Sequence, residues 1–516
     1  MTIRLYGVNK YGDGKLYGHT DGDGLAWDVS IDWDEDNLFD ANEAARLTSV
    51  SINRGRVFLL APIGEGFEEI QTGEATIRLR NADGRFDGWN TSSPLYPNVT
   101  LGKDVRIRVR DLGDTDAVYP LLRGVISKIV PTGYGEDAQV EIHVSDGLDF
   151  LRNYTARVAI QTAITPDEAI GLILDSVGWP SAWGRDLDAS SETIPYWWAS
   201  GNKKAMSEAQ DLATSFLGYF FADASGQARY IKRSSVADAV ANYPQEYLLK
   251  DLGNPQPFEI LRNITRIKVH PRTQAATGTI WQLVGNIPTV PPGAGNALTI
   301  FANYTYNNVS TPARNVITPV ATTDFLINSQ SDGLGTNLTA SCTVSLTDFG
   351  DTGKLVITNN SATIGYVVAI KIRGNAIYEP NVSDITYPID LSTVRNPREL
   401  VFDLPWQQDL NVAVDLSNVL GPFYSAGHPI PNIKIDSRPS LQFAPDLFDI
   451  VTADLGYIGL NGVSFRVGGI EHTTDSQFEN CQRVITRLYL EPYVSADDYM
   501  QWDTNSVWDT STVFGY

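Results

Sequence analysis

The sequence predicts a mainly β protein with a small α/β part, in which one small β-module occurs twice. Three observations carry this. Gly 43 and Pro 27 in 516 residues, with abundant Thr, Asn and Val, favour strands and turns over helices. Stretches of strict period two, such as Thr76-Ile77-Arg78-Leu79-Arg80 and Val105-Arg106-Ile107-Arg108-Val109-Arg110, read as half-buried strands. Finally, a pattern from Asp104 through Arg123-Gly124-Val125-Ile126 to Val140-Glu141-Ile142 returns from Asp449 through Val467-Gly468-Gly469-Ile470 to Val484-Ile485-Thr486. Asp104 to Gly124 is about 20 positions and Asp449 to Gly468 about 19, with about 16 from glycine to valine in both. Each copy reads as strand, loop, strand entered at a glycine, polar turn and closing strand. Two such modules in one chain imitate rotational symmetry inside a subunit, which is the behaviour of an assembly component.

The length implies roughly three or four domains. Residues 1–45 are rich in Gly and Asp, with a short strand at Trp27-Asp28-Val29-Ser30-Ile31. Residues 46–152 are dense in alternating strands, and the arginines of Val105–Arg110 give that strand a cationic face, either solvated or turned to an acidic neighbour. Residues 153–257 change character. Thr165-Pro166-Asp167-Glu168 supplies a cap, a first-position proline and a capping-box glutamate. Ala169, Ile170, Ile173, Leu174 and Val177 then follow at helical spacing, and Gly178 is the stop. A second helix uses Met206, Ala209, Leu212, Ala213, Phe216 and Leu217 and closes at Gly218, before a hairpin through Asp223-Ala224-Ser225-Gly226.

A strand resumes at Ile264–Val269, and Pro288, Pro291, Pro292, Gly293 and Gly295 mark a linker. Residues 288–399 carry short strands at the spacing of a β-sandwich, inserted between 258–287 and 400–495. A helix with Leu410, Ala413, Leu416, Val419 and Leu420 precedes the second copy of the pattern, and 496–516 form an aromatic, polar tail.

Charge narrows the function. Acids outnumber bases 61 to 39, for a net charge of −22, whereas affinity for nucleic acid comes from Lys and Arg neutralising phosphates. Such a surface keeps a protein soluble at high concentration, or lets DNA pass without sticking. The two cysteines, Cys342 and Cys481, lack metal-ligand spacing and read as small buried residues. The first residues lack the apolar stretch of a secretory signal, and no apolar run is long enough to span a bilayer, so synthesis in a cytosol is expected.

The strongest local motif is acidic. Asp32, Asp34, Asp36, Asp40 and Glu43 fall at positions 1, 3, 5, 9 and 12 of a twelve-residue calcium loop, with the Leu38 carbonyl at position 7. Carboxylates on alternate residues of a tight turn curl around one Ca2+, and Asn37 at position 6 tolerates positive φ. The competing reading is an acidic surface turn. Asp21-Gly22-Asp23-Gly24 reads as a tight turn. Five histidines stand singly, and the sequence has no nucleophile elbow, phosphate loop or dinucleotide glycine pattern. Tyr196, Trp197 and Trp198 could stack on sugar rings, but packing is the commoner use of such a cluster.

The order of several motifs resembles the tail hub, or tail-tip, proteins of tailed bacteriophages, related to the baseplate hub of contractile tails. These are Asn53-Arg54-Gly55-Arg56, Thr72 through Phe86, Asn90-Thr91-Ser92-Ser93-Pro94-Leu95-Tyr96, Leu101-Gly102-Lys103-Asp104-Val105, Leu122-Arg123-Gly124 and Val144-Ser145-Asp146-Gly147. The stretches Ala205–Arg233 and Asn360–Gly374 continue the likeness over most of the chain.

This resemblance implies two related β-barrels, 46–152 and 258–287 plus 400–495, joined by an α/β domain at 153–257. It further implies a non-enzymatic homotrimer in the virion whose six barrels cap a sixfold tail tube and close the DNA channel before ejection. The implied partners are distal tail or tube ring proteins, a central fibre or spike and the tape-measure protein, with no specific nucleic-acid binding and no membrane span. The alternatives are a distal-tail ring subunit or a receptor-binding minor tail protein. From a different class comes a secreted carbohydrate-active enzyme or lectin with β-sandwich modules.

Overall fold

The structure, a computed structural model, describes residues 24–39, 41–56, 70–112, 117–232, 235, 238–249, 264–380, 383–386, 399–426, 431–436, 438–456, 460–474 and 483–493. Asp40, Asp21–Asp23, His19, His428, Cys481 and the 496–516 tail lie outside them. The protein is mainly β; the described residues carry three α-helices between Gly147 and Ser215 and two more, Leu410–Ala426 and Pro439–Phe443, later in the chain. Among the described residues no helix is long and apolar enough to cross a membrane.

A twelve-stranded sheet dominates. From one edge its order is Ala241–Pro244, Ile450–Leu455, Leu460–Thr474, Leu47–Gly55, Gln71–Arg80, Gln139–Asp146, Val118–Thr132, Asp104–Asp111, Leu25–Ile31 and Ala41–Asn42. At Leu460–Thr474 it branches through Val484–Pro492 to Asn432–Ile435. The period-two strands bury alternate residues as expected. Val105, Ile107 and Val109 point into a core shared with Val29, Ile31, Ile77, Leu79, Ile142 and Val144. The arginine face of that strand is answered within the chain. Arg108 pairs with Asp28 on the neighbouring strand, and Arg106 lies 4.4 Å from the Phe39 ring centre. Leu25–Ile31 thus belongs to this sheet, paired along its length with Asp104–Asp111.

The α/β part holds helices Gly147–Asn153, Pro166–Val177 and Ala205–Ser215 and a ribbon of Thr155–Ile164 with Ile194–Lys204. The Pro166–Val177 helix starts and stops where its local chemistry dictates. Glu168 accepts the Thr165 N–H at 3.2 Å, and Gly178 takes φ +71° as the left-handed cap. The next helix departs from expectation. Its left-handed residue is Leu217 (φ +52°), while the Gly218 N–H reaches the Ala213 carbonyl at 2.8 Å. Gly218 serves close packing instead, since a Cβ there would sit 2.7 Å from both the Ile231 carbonyl and the Tyr230 ring. Trp197 is fully buried, and Trp198 meets Trp406 edge-on at 5.1 Å, so this aromatic cluster is packing.

Residues 273–378 make two larger sheets and a small hairpin, Thr305–Tyr306 with Val309–Ser310, around their own core. In one, the long strand Gly365–Tyr378 pairs with Thr273–Gln274, Gly278–Gln282, Thr289–Val290, Ala313–Ile317 and Phe325–Asn328. The other has Thr352–Asn359 between Leu298–Asn303 and Cys342–Asp348. Cys342 is buried beside Asn359. Ile264–Val269, grouped by sequence with the second module, lies in a separate sheet between Ser383–Thr386 and Glu399–Leu404. Its apolar side faces Ala413, Leu416 and Leu420 of the Leu410–Ala426 helix, which satisfies that face away from the large sheet.

Candidate functional site

The duplicated module is a structural fact with a different register from the one its glycines indicate. Each copy is a three-strand meander around a 15-residue strand, Val118–Thr132 in the first and Leu460–Thr474 in the second. In the first, the Gly102 N–H bonds the Ile126 carbonyl at 2.8 Å and the Ile126 N–H bonds Lys103 at 2.9 Å. In the second, the Phe448 N–H bonds Val467 at 2.7 Å and the Val467 N–H bonds Asp449 at 3.0 Å. Gly102 and Phe448 both have positive φ, +84° and +64°. One residue further on, both long strands carry a bulge against their closing strand, between Ile126 and Lys128 and between Val467 and Gly469. Ile126 therefore matches Val467, and Ser127 matches Gly468. Gly124 is a glycine for another reason, because a Cβ there would lie 2.0 Å from the Ser145 carbonyl.

The first meander is extended by Gln71–Arg80 and Leu47–Gly55, and this extended first module meets the second at a seam within one sheet. Leu47–Gly55 pairs antiparallel with the second long strand, from Ser51 opposite Thr473 to Gly55 opposite Gly469, and the Arg56 N–H extends the ladder to the Gly468 carbonyl at 3.0 Å. The backbones come close here: a Cβ on Gly55 would lie 2.6 Å from the Leu447 side chain. Phe443 and Val484 of the second module enter the first module's core. The α/β helices share their core with Val451, Val467 and Leu488 of the second module.

Charged groups are buried along this seam. The Arg54 guanidinium donates to Asp446 at 2.6 Å and to the Ala222 carbonyl at 2.9 Å, and Asp446 also accepts the Ala224 N–H at 2.8 Å. Burial opposes ionisation of Asp446, but Arg54 and the backbone donors outweigh it and hold its pKa below the ordinary carboxylate value. Arg56 donates to Glu491 at 2.9 Å and lies over the rings of Tyr219 and Phe448. Asp146, which accepts the N–H groups of Gly73 and Leu148, is pushed by burial up to about 7. Burial, with Arg54 adding to it, holds His472 down to about 3. A buried pair that loses one partner is strongly destabilised, so this cluster enforces one relative placement of the modules. Of it, the sequence motifs contain Arg54, Arg56 and Asp146. The acids that pair with the two arginines, Asp446 and Glu491, stand 392 and 435 positions away.

The acidic loop is partly gathered. Carboxylate oxygens of Asp32, Asp34 and Asp36 all lie within 4.8 Å of one another. Asp32 accepts the N–H groups of Asp36 and Asn37, and Glu35 and Asn37 both have positive φ. Glu43 is placed elsewhere: its carboxylate is held by the Arg85 guanidinium, with one contact at 2.7 Å. The Leu38 side chain is exposed, and its N–H bonds Asp36. Of the histidines, His143 lies within 2.9 Å of Glu141, and His270 bridges Glu379 and Asp403.

No protein-family model matches the chain, and no curated protein matches it in sequence. Solved structures are similar to it over most of its length. The tail protein from Neisseria meningitidis MC58 shares 8% identity at a TM-score of 0.47, covering 91% of this chain and 96% of that one. The 43 kDa tail protein of prophage MuSo2 from Shewanella oneidensis shares 9% at a TM-score of 0.48, covering 92% and 99%. Prophage tail protein gp18 from Listeria monocytogenes EGD-e shares 8% at a TM-score of 0.42, covering 90% and 94%.

Proposed function

We propose that the chain is a structural, non-enzymatic virion protein: the homotrimeric hub of a phage tail tip. The observation that carries this reading is the seam, through which two equivalent meanders, each with the same bulge and a left-handed entry position, share one sheet across Leu47–Gly55 and Gln71–Arg80. A chain presenting one module twice offers six similar modules in three copies. That is what a threefold tip needs in order to cap a sixfold tube. In this reading each module acts as a barrel, and the hub closes the DNA channel before ejection. Its partners are the distal tail or tube ring, a central fibre or spike and the tape-measure protein. An electron-microscopy reconstruction of the tail tip tests it. Three copies with alternating modules around one ring are expected, and six copies in a ring would replace the hub by a distal-tail ring.

The acidic loop is proposed as a calcium site in which Asp32, Asp34 and Asp36 supply carboxylate oxygens, because hard oxygen donors gathered this closely suit that ion. Titration calorimetry with calcium is expected to show binding that Asp34→Asn weakens. No heat at millimolar calcium would remove the site.

A further inference from the structure

The inserted sandwich joins the body of the protein through two adjacent legs, and the charged side chains at their root offer one acid two alternative partners. The entry leg leaves strand Ile264–Val269 through His270 and Arg272. It then pairs, as Thr273–Gln274, with Tyr378 and Ile377 of the exit leg, which continues to Glu379. The His270 ring stands between two acids. Its Nδ1 is 3.0 Å from Glu379, and its Nε2 is 2.7 Å from Asp403 on the neighbouring strand Glu399–Leu404. Only an imidazolium donates from both nitrogens; a neutral ring keeps one N–H and turns a lone pair toward one of the carboxylates. The other charged groups around it, Arg272, Lys203 and Lys268, do not bond the ring. Lys203 is held by Asp211 at 2.7 Å, and Lys268 stands opposite Asp403 in the parallel ladder. Arg272 is the second partner. Its guanidinium lies 4.7 Å from the Trp198 ring centre and 4.4 Å from that of Trp406, and its Nη2 donates to the Pro405 carbonyl at 2.8 Å. The buried Nη1 finds no acceptor among the described residues. Burial lowers the pKa of this group to about 10, and Glu379 is the acid whose field opposes that.

We propose that Glu379 is the moving part of a two-state latch: it bonds His270 while that ring is charged, and crosses to Arg272 Nη1 when the ring gives its proton to solvent. In the first state the exit leg is tied through His270 to Asp403, so the sandwich is held to the body. In the second the two legs are tied to each other. The body then keeps the sandwich only through Arg272 and through the contact of Phe349 and Gly350 with Arg157 and Val158. The sandwich is therefore held firmly on the acidic side of the imidazole range and loosely on the alkaline side. The His270 side chain is 18% exposed, so its proton exchanges with water without unfolding.

The latch does not depend on the hub reading. The test uses the full chain, with crystal structures at pH ~5 and ~8, either side of the imidazole range. A spin-label pair at Tyr134→Cys on the first module and Leu334→Cys on the sandwich, both exposed, in a Cys481→Ser background, reports how firmly the sandwich is held. The expected result is Glu379 on His270 at the lower pH and on Arg272 at the higher, with a label distance distribution about twofold broader at the higher. In His270→Gln, Glu379 is expected on Arg272 and the distribution broad at both values. His143→Gln, in the first module, is expected to keep the step. Glu379 on His270 at both values, or a step of equal size in His270→Gln, overturns the latch. Thermal melting shows that each variant folds. If His270→Gln does not, Glu379→Gln decides, since its step is expected to vanish and a persisting one overturns the proposal.

Discussion

Arg54 is buried and Asp446 largely so, and the cost of separating them is set by the charge left behind. Arg54→Ala is expected to cost about 3–5 kcal/mol in urea unfolding, while the double change Arg54→Met with Asp446→Leu loses less, because no buried charge is stranded. Two neighbours respond to pH in opposite senses. Asp146, raised to about 7, stays protonated in the fold after the unfolded chain has ionised; its contribution is full below about 4 and is lost as pH rises through 7. His472, lowered to about 3, stays neutral in the fold; its contribution is full above about 6.5 and is lost as pH falls toward 3. Between these limits the two slopes oppose. Glu208, which burial also raises to about 7, adds to the Asp146 slope, so unfolding midpoints followed from pH ~4 to ~6.5 are expected to fall with rising pH in the wild type. They should fall more steeply in His472→Gln and vary little in Asp146→Asn.

Elements whose signals are local were legible. The Pro166–Val177 helix has its box, its proline and its glycine within fourteen residues, and the Tyr219–Ile231 hairpin has its turn within four. Signals that depend on a distant partner were not. Gly218 reads as a helix stop but is small because Tyr230 presses on it, and Gly218→Ala is expected to cost about 1–3 kcal/mol in a denaturant melt. The repeat was visible in the sequence, yet its register came out three residues off at Gly468. Glycines mark close approaches that differ between the copies, whereas equivalence is set by the bulge. Of the acidic loop, the three alternating aspartates were readable from spacing. The capture of Glu43 by Arg85 was not, because Arg85 stands on another loop.

At the scale of the molecule, the inserted sandwich is a unit with its own core and two adjacent crossings. Thr273 pairs with Tyr378 and Gln274 with Ile377, so the ends of the insertion are neighbours on antiparallel strands. Replacing residues 275–376 by Asn-Gly is expected to leave a folded, cooperative body that assembles as the full chain does, judged by circular dichroism and sedimentation. Loss of cooperative melting would mean that the foot at Phe349 and Gly350, which touches Arg157 and Val158, is needed by the body.

The seam also has a consequence for synthesis. The Val50 N–H bonds the Thr474 hydroxyl across 424 positions, so the edge formed by Leu47–Gly55 has no cover until nearly the whole chain has left the ribosome. Throughout translation the nascent first half carries a bare strand edge, to be shielded by a chaperone or left exposed to the halves of other nascent chains. A prematurely terminated product keeps that edge bare permanently.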